Sequence, residues 1–235
     1  MMTQRSIQAG PHPTVIIRAG EDVQIEGRDD ERVVARTNSR WGLEIERGSE
    51  TQVARVRAKV GERVLLDVAF NGIGKKKNDD AIQIKISGSG KVFVPRDSIV
   101  KVYAGKHVIA ENLRGSITVS AGGNVQLRNI HRLVHAAAGG ALDLDCETLA
   151  PGDLKFSAGR DLRFYIHDLD NAQIIVNDMG GFWAGLLGDG RRKIRLTAGG
   201  DVTLVTQREV KGQPPEYVLG NIEIPKTANN EAPFG

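Results

Sequence analysis

Several things are scarce in this 235-residue chain, and each scarcity removes a class of protein. There is one cysteine, Cys146, so no intrachain disulfide framework can hold the fold together. It lies in the alternating run Ala141-Leu-Asp-Leu-Asp-Cys146, where it reads as a small strand side chain and not as a reactive thiol. No stretch approaches the roughly 20 apolar residues of a membrane-spanning helix. The first ten residues, Met1-Met-Thr-Gln-Arg-Ser-Ile-Gln-Ala-Gly10, lack the apolar core of a secretory leader. The expected location is therefore cytoplasmic, or surface-attached or secreted if a leader precedes the chain. An excess of one charge is also missing. Lys and Arg number 32 against 29 Asp and Glu, a net charge of +3, and the basic residues are spread along the whole chain, which points away from nucleic acid as a partner. Aromatic residues make up 5%, and there are no long alanine- and leucine-rich helical stretches. At 40% hydrophobic and 26% charged residues, the chain is too apolar for global disorder.

Glycine is plentiful, at 28 residues, and much of it falls at regular places. The pair Ala-Gly begins at Ala19, Ala104, Ala121, Ala138, Ala158 and Ala198, so that from Ala104 the steps are 17, 17, 20 and 40. The last step divides into two of 20, with Asp178 in the missing place. Counting each Ala as zero, positions −4 and −2 hold Val100 and Val102, Ile117 and Val119, Val134 and Ala136, Leu154 and Phe156, Ile174 and Val176, Ile194 and Leu196. Positions +4 and +6 hold Val108 and Ala110, Val125 and Leu127, Leu142 and Leu144, Leu162 and Phe164, Phe182 and Ala184, Val202 and Leu204. Each unit is thus two short strands of period two around a small-residue corner.

A repeat of 17 to 20 residues is too short for a strand with a helical crossover. It predicts an all-β chain, a right-handed parallel β-solenoid with rungs of 17–20 residues, preceded by a less regular β region. Stacked rungs set equivalent side chains in columns about 4.8 Å apart, with Val125, Leu142 and Leu162 in one and Leu127, Leu144 and Phe164 in the next. Four buried side chains contribute about 1.5–3 kcal/mol each, while ordering the backbone costs about 1–2 kcal/mol per residue. A lone rung is therefore unstable, and the repeats must stack. Glycine at the corner is read as permitting positive φ. Position +3 holds His107, Asn124, Ala141, Asp161, Gly181 and Asp201, read as turn formers, with a calcium ladder at Asp161 and Asp201 as the sharper alternative.

The expected organisation is an arm at 1–12, an irregular β lead-in continuous with the solenoid at 13–99, a regular solenoid at 100–205, and a cap or assembly segment with a tail at 206–235. Residues 13–27 already carry the repeat, in Val15-Ile-Ile17, Ala19-Gly20 and Val23-Gln-Ile25. The loop Asn71-Gly-Ile-Gly-Lys-Lys-Lys-Asn-Asp-Asp80 is a solvated insertion, since it lacks both the glycine spacing and the Lys-Ser/Thr of a phosphate loop. The exposed ends of a stack either cap it or pair with another copy, so residues 205–235 are the candidate for self-association.

No catalytic, cofactor-binding or metal-binding residue stands out. His131 and His135 are four apart on a strand pattern, which does not bring both imidazoles to one metal. No Gly-x-Ser-x-Gly elbow is present. A solenoid hydrolase or lyase would gather acids and bases on an outer column; here Ile109, Gln126, Asp143, Arg163, Trp183 and Thr203 occupy position +5, with Asp143 beside Arg163 as its only pair. Phe182-Trp183 could stack a sugar or pack a local cap.

The stretch Val92-Phe-Val-Pro-Arg96, followed by Val100-Lys-Val-Tyr-Ala-Gly105, Val108–Gly115, Ile117-Thr-Val119 and Ala121-Gly-Gly-Asn-Val125, resembles the bacterial putative-adhesin family of unknown function over roughly residues 13–205. The rungs at Ala158-Gly-Arg-Asp-Leu162 and Ala198-Gly-Gly-Asp-Val202 are similar to filamentous haemagglutinin repeats, and bactofilins are similar in architecture. The resemblance implies a β-solenoid with a structural or adhesive role and no catalytic residues to carry over. The expectation is a non-catalytic scaffold that self-assembles as a homo-oligomer through its ends or C-terminal segment, takes a protein or glycan ligand, and needs no cofactor. The alternatives are a carbohydrate-active solenoid enzyme and an accessory protein-binding domain of a cytoplasmic regulatory system.

Overall fold

Alternation buries one side of each strand, and a repeat of constant length returns that side to the same place in the next unit. In the computed structural model the chain is all-β with a mostly parallel sheet and, among the described residues, no helix. The structure describes residues 2–38, 42–48, 55–60, 63–69, 81–167, 172–178, 181–187, 192–208 and 218–222. The loop 71–80 and most of the C-terminal segment expected to cap or assemble lie outside them.

The strands of the first half are β1 (Thr3–Gln8), β2 (Thr14–Ala19), β3 (Val23–Arg28), β4 (Arg32–Thr37), β5 (Leu43–Arg47), β6 (Arg55–Val60), β7 (Arg63–Ala69), β8 (Ile82–Ile86), β9 (Gly90–Pro95) and β10 (Ile99–Ala104). Those of the second half are β11 (Val108–Ala121), β12 (Val125–Ala138), β13 (Leu142–Leu149), β14 (Leu154–Ala158), β15 (Leu162–Ile166), β16 (Ala172–Asp178), β17 (Gly181–Leu187), β18 (Arg192–Ala198), β19 (Val202–Arg208) and β20 (Val218–Ile222). β6 and β7 pair with each other as a separate sheet.

Two ladders flank the corners. The strands before the corner stack in the order β5, β8, β2, β10, β11, β12, β14, β18, β16, β17, with the second halves of β11 and β12 taking part. The strands after it stack as β1, β4, β9, β3, β11, β12, β13, β15, β19, β20, using the first halves of β11 and β12. Pairing is parallel throughout except at the extremities, where β5–β8, β16–β17, β1–β4, β4–β9 and β19–β20 are antiparallel. The expected columns are present: Val125 pairs with Leu142 and Leu142 with Leu162, Leu127 with Leu144 and Leu144 with Phe164. All of these side chains are buried. Phe156 and Phe164 meet edge-to-face inside, with ring centroids 5.1 Å apart.

The order of the layers departs from the order of the sequence. Ala158 pairs directly with Ala198, and β16 lies on the far side of β18, with Ile174 opposite Ile194. The 40-residue step is therefore one layer and not two, and Asp178 does not take a corner between Ala158 and Ala198. The physical reason lies in the corner itself. Met179 stands in the sequence where the six Ala-Gly corners have glycine, and the chain folds back between Asp178 and Gly181 into the antiparallel β16–β17 hairpin. Gly181, Phe182, Trp183 and Ala184 consequently leave the second ladder, in which Leu162 pairs directly with Val202. The start of the chain behaves similarly: Val15 pairs with Ile82 on one side and Val100 on the other, so residues 14–28 form a layer between 82–95 and 99–111.

Two local expectations are also corrected. Leu133, not Val134, fills the −4 column, because a β-bulge shifts the register from Ile117–Leu133 to Thr118–His135 and leaves Val134 unpaired in that ladder. Leu133 is fully buried as a result, while Val134 is half-buried. The corner glycines do not serve positive φ, since among the described glycines only Gly42 and Gly152 adopt it. Their role is steric. A Cβ on Gly105, Gly122, Gly139, Gly159 or Gly199 would collide with the carbonyl oxygen of the corner glycine one layer before.

Positive φ belongs instead to Asn112 (60°) and Asn129 (52°), stacked so that Asn129 Nδ2 donates to Asn112 Oδ1 at 2.8 Å. Asparagine is one of the few side chains that tolerate this region. Asn129→Ala loses both the hydrogen bond and the tolerance and should cost about 1–2 kcal/mol; Asn129→Gly, which keeps the tolerance, should cost less. Urea denaturation of the two variants measures the difference.

Candidate functional site

With the interior filled by apolar side chains, chemistry is left to the corners and the outer columns. At position +3 the side chains form a brace. Ser89 Oγ accepts from Asp22 N (3.4 Å), Asp22 Oδ1 from His107 N (3.0 Å), His107 Nδ1 from Asn124 N (2.8 Å), and Asn124 Oδ1 from Ala141 N (2.9 Å). After Ala141, which has no acceptor to offer, the series resumes with Asp161 Oδ1 accepting from Asp201 N at 3.0 Å. The column read as turn formers thus ties neighbouring layers together through main-chain N–H groups, except between Ala141 and Asp161, satisfying donors that the corner leaves outside the ladder. Gly181 is not in it. Among the described residues no three of His, Cys, Asp and Glu are grouped to hold a metal ion.

The other singled-out residues go separate ways. His131 Nδ1 lies 2.6 Å from Glu147 Oε2, and His135 Nδ1 lies 3.0 Å from the Lys155 carbonyl oxygen, so the two imidazoles have different partners. Asp143 and Arg163 stand opposite each other in register, in a column that runs Lys91, Gln24, Ile109, Gln126, Asp143, Arg163, Thr203. Asp143 Oδ2 takes a weak hydrogen bond from Gln126 Nε2 at 3.5 Å. Trp183 is absent from that column because β17 pairs with β16.

Cys146 sits in an interior column between Ile130 and Ile166. Burial, and then the charge of Asp145, push its thiol up to about 12. At pH 8 the native chain should therefore not react with an aromatic disulfide reagent, and one thiol per chain should appear after unfolding in guanidinium. Rapid reaction of the native chain would show that this column opens.

The Val92–Arg96 stretch has a structural explanation. Pro95–Ser98 is a turn in which Ser98 N (3.1 Å) and Oγ (2.6 Å) both donate to the Pro95 carbonyl oxygen. Phe93 points outward yet is 4% exposed. The Arg28 guanidinium lies 3.6 Å from its ring centroid, with Lys91 and Arg36 at 5.0 and 5.1 Å. Glu26 binds Lys91 at 2.8 Å and Arg28 at 2.9 Å, and those hydrogen bonds, Lys91 first, hold its carboxyl below the usual range.

The two outer surfaces differ in charge. Along the second ladder, acids and bases are mixed: Glu26 and Glu111 stand opposite each other on adjacent layers, and Arg128, Asp143 with Asp145, and Arg163 follow on successive ones, with Lys91 at the start. Along the first, the outer positions hold Lys85, Arg18, Lys101, Lys155, Lys193 and Arg195, with Thr118, Ser120, Ser157 and Thr197 between them. Glu44 and Glu46 of the terminal strand β5 border this surface, and Glu44 pairs with Lys85 at 3.4 Å. Sequence reasoning missed the asymmetry because its members are far apart in the chain: 83 residues separate Arg18 from Lys101, 54 separate Lys101 from Lys155, and 40 separate Lys155 from Arg195.

Among the described residues no helix is long and apolar enough to cross a membrane. No protein-family model matches the chain, and no curated protein matches it. Among solved structures, a putative cell adhesion protein from Clostridium sporogenes is similar over 88% of this chain and 100% of its own, at 12% identity and a TM-score of 0.46. At that level neither fold type nor function follows from the likeness.

Proposed function

We propose that the chain is a right-handed parallel β-solenoid that serves as a non-catalytic, adhesin-like scaffold and assembles with copies of itself through its ends. The observation that carries this reading is the continuous stack, in which equivalent residues pair layer upon layer from Ile84 through Ile17, Val102, Val119, Ala136 and Phe156 to Leu196 in the first ladder. Such a stack is stiff along its axis and presents fixed columns of side chains outward, which suits presentation more than turnover. Among the described residues, β1 pairs only with β4 and β20 only with β19, so each end of the second ladder offers an edge strand. An edge of unpaired N–H and C=O groups is a template for another chain. Because the two ends differ, joining one to the other is a heterologous contact that propagates into a filament unless it closes into a ring.

The test is sedimentation velocity across a concentration series, with negative-stain imaging, on the full chain and on a chain ending at Arg208, which lacks β20. Assembly of the full chain that the shortened chain loses supports the reading. A full chain that stays monomeric at every concentration overturns self-assembly.

A further inference from the structure

Stacking gathers onto one surface what the sequence scatters. The outer positions of β10, β11, β12, β14 and β18 share one side of the first ladder. Toward one end stand Lys101 and Tyr103, the latter 42% exposed, with the Arg18 guanidinium 5.7 Å from its ring centroid. Toward the other stand Lys155, Lys193 and Arg195, all exposed. The floor between them is made of Thr118, Ser120, His135 and Ala137, half-buried as expected for a flat sheet. Lys101 and Lys155 are three strand spacings apart, about 14 Å. Asp153, immediately before β14, borders this surface, and its Oδ1 accepts from the main-chain N–H of Lys193 at 2.8 Å.

We propose that this side of the first ladder binds an extended acidic polysaccharide, with carboxylates of the chain at the two cationic groups and sugar hydroxyls over the Thr and Ser floor. Charge complementarity selects a polyanion. The shape of the surface then selects among polyanions. A flat face meets an extended chain at every layer, whereas a nucleic-acid duplex touches it along a narrow line of phosphates. A single-stranded nucleic acid relies on a series of stacking aromatics, and among the described residues of these strands Tyr103 is the one aromatic pointing out from this surface. One ring with cations on either side suits a sugar chain: the ring takes one pyranose face, and the Lys and Arg side chains take the acidic substituents.

This inference rests on the reading of the chain as a ligand-presenting scaffold, and binding is measured apart from assembly. Oligomeric polygalacturonate is titrated into the full chain by calorimetry at low and high salt, beside methyl-esterified pectin oligomers, neutral dextran and a DNA duplex. The expected result is polygalacturonate binding that weakens steeply with salt and is absent for dextran and the esterified form. Lys155→Glu with Arg195→Glu should weaken it at least tenfold, and Arg163→Glu, on the other ladder, should leave it within twofold; circular dichroism melts confirm that both variants fold. Equal losses from the two variants, equal binding of the esterified polymer, or binding of DNA without polygalacturonate would each overturn the inference. A chain that binds without assembling removes only the self-assembly reading, and shortening of the polymer during titration removes the non-catalytic one.

Discussion

Phe164→Ala is expected to destabilise the chain by about 3–5 kcal/mol, the cost of deleting a buried aromatic side chain and leaving a cavity. Phe164 is fully buried, lies in register between Leu144 and Leu204, and receives the edge of Phe156 at 5.1 Å. Its neighbours cannot collapse into the space, because each is fixed by a ladder hydrogen-bonded on both sides. At about 2–4 °C per kcal/mol for a chain of this size, the melting temperature should fall by on the order of 10 °C. Phe164→Leu, which refills most of the volume, should cost less than about 2 kcal/mol. Equilibrium denaturation measures both, and near-equal costs for Ala and Leu would mean that the column is not packed at this layer. Combining Phe164→Ala with Phe156→Ala should cost less than the sum of the two, since both single changes remove the same ring contact.

Gly159→Ala should cost about 3 kcal/mol although it adds a single methyl group. The new Cβ would meet the Gly139 carbonyl, 2.9 Å from its carbon and closer still to its oxygen. A carbonyl in a ladder cannot swing aside as a flexible side chain can. Relief requires two layers to separate, which lengthens the Gly159 N to Ala138 O (2.9 Å) and Arg160 N to Gly140 O (3.1 Å) bonds. Gly10→Ala is the control, because nothing lies within 4 Å of its Cβ position; it should change stability by no more than about 1 kcal/mol, in the stabilising direction. Indistinguishable midpoints for the two variants would show that glycine at the corner answers to something other than interlayer clearance.

The sequence discloses what burial enforces and hides what burial leaves equivalent. The interior columns through Val125 and Leu127 were legible because a slip of one residue would turn every apolar side chain outward. The neighbour of Ala158 was not legible by the same means, since Ile174 and Val176 satisfy the interior slots as well as Ile194 and Leu196 do. Periodicity names the face a residue takes, not the layer it lies on. Met179, in the place of a corner glycine, was the one local sign that this unit does not turn like the rest. The bulge at Val134 escaped because Leu133 and Val134 are both apolar. Corner glycine was recognised but explained by φ, since a requirement for φ and a requirement for clearance leave the same letter. The cationic surface stayed hidden for a related reason: Lys101, Lys155 and Arg195 look dispersed until stacking sets them side by side.

The layer formed by residues 14–28 carries a consequence for the making of the protein. It leaves the ribosome first, yet both of its neighbours, 82–95 and 99–111, are made some sixty or more residues later. During synthesis it therefore waits with two open edges, and every bond it eventually forms closes a long loop. Growth by adding each new turn to a finished one can begin only at 99–111 and run to 154–166. The beginning of the chain is among the last parts to be locked in place, and a nascent chain halted near residue 80 holds an apolar strand pair, Val15–Ile17 and Val23–Ile25, with no partner of its own to cover it.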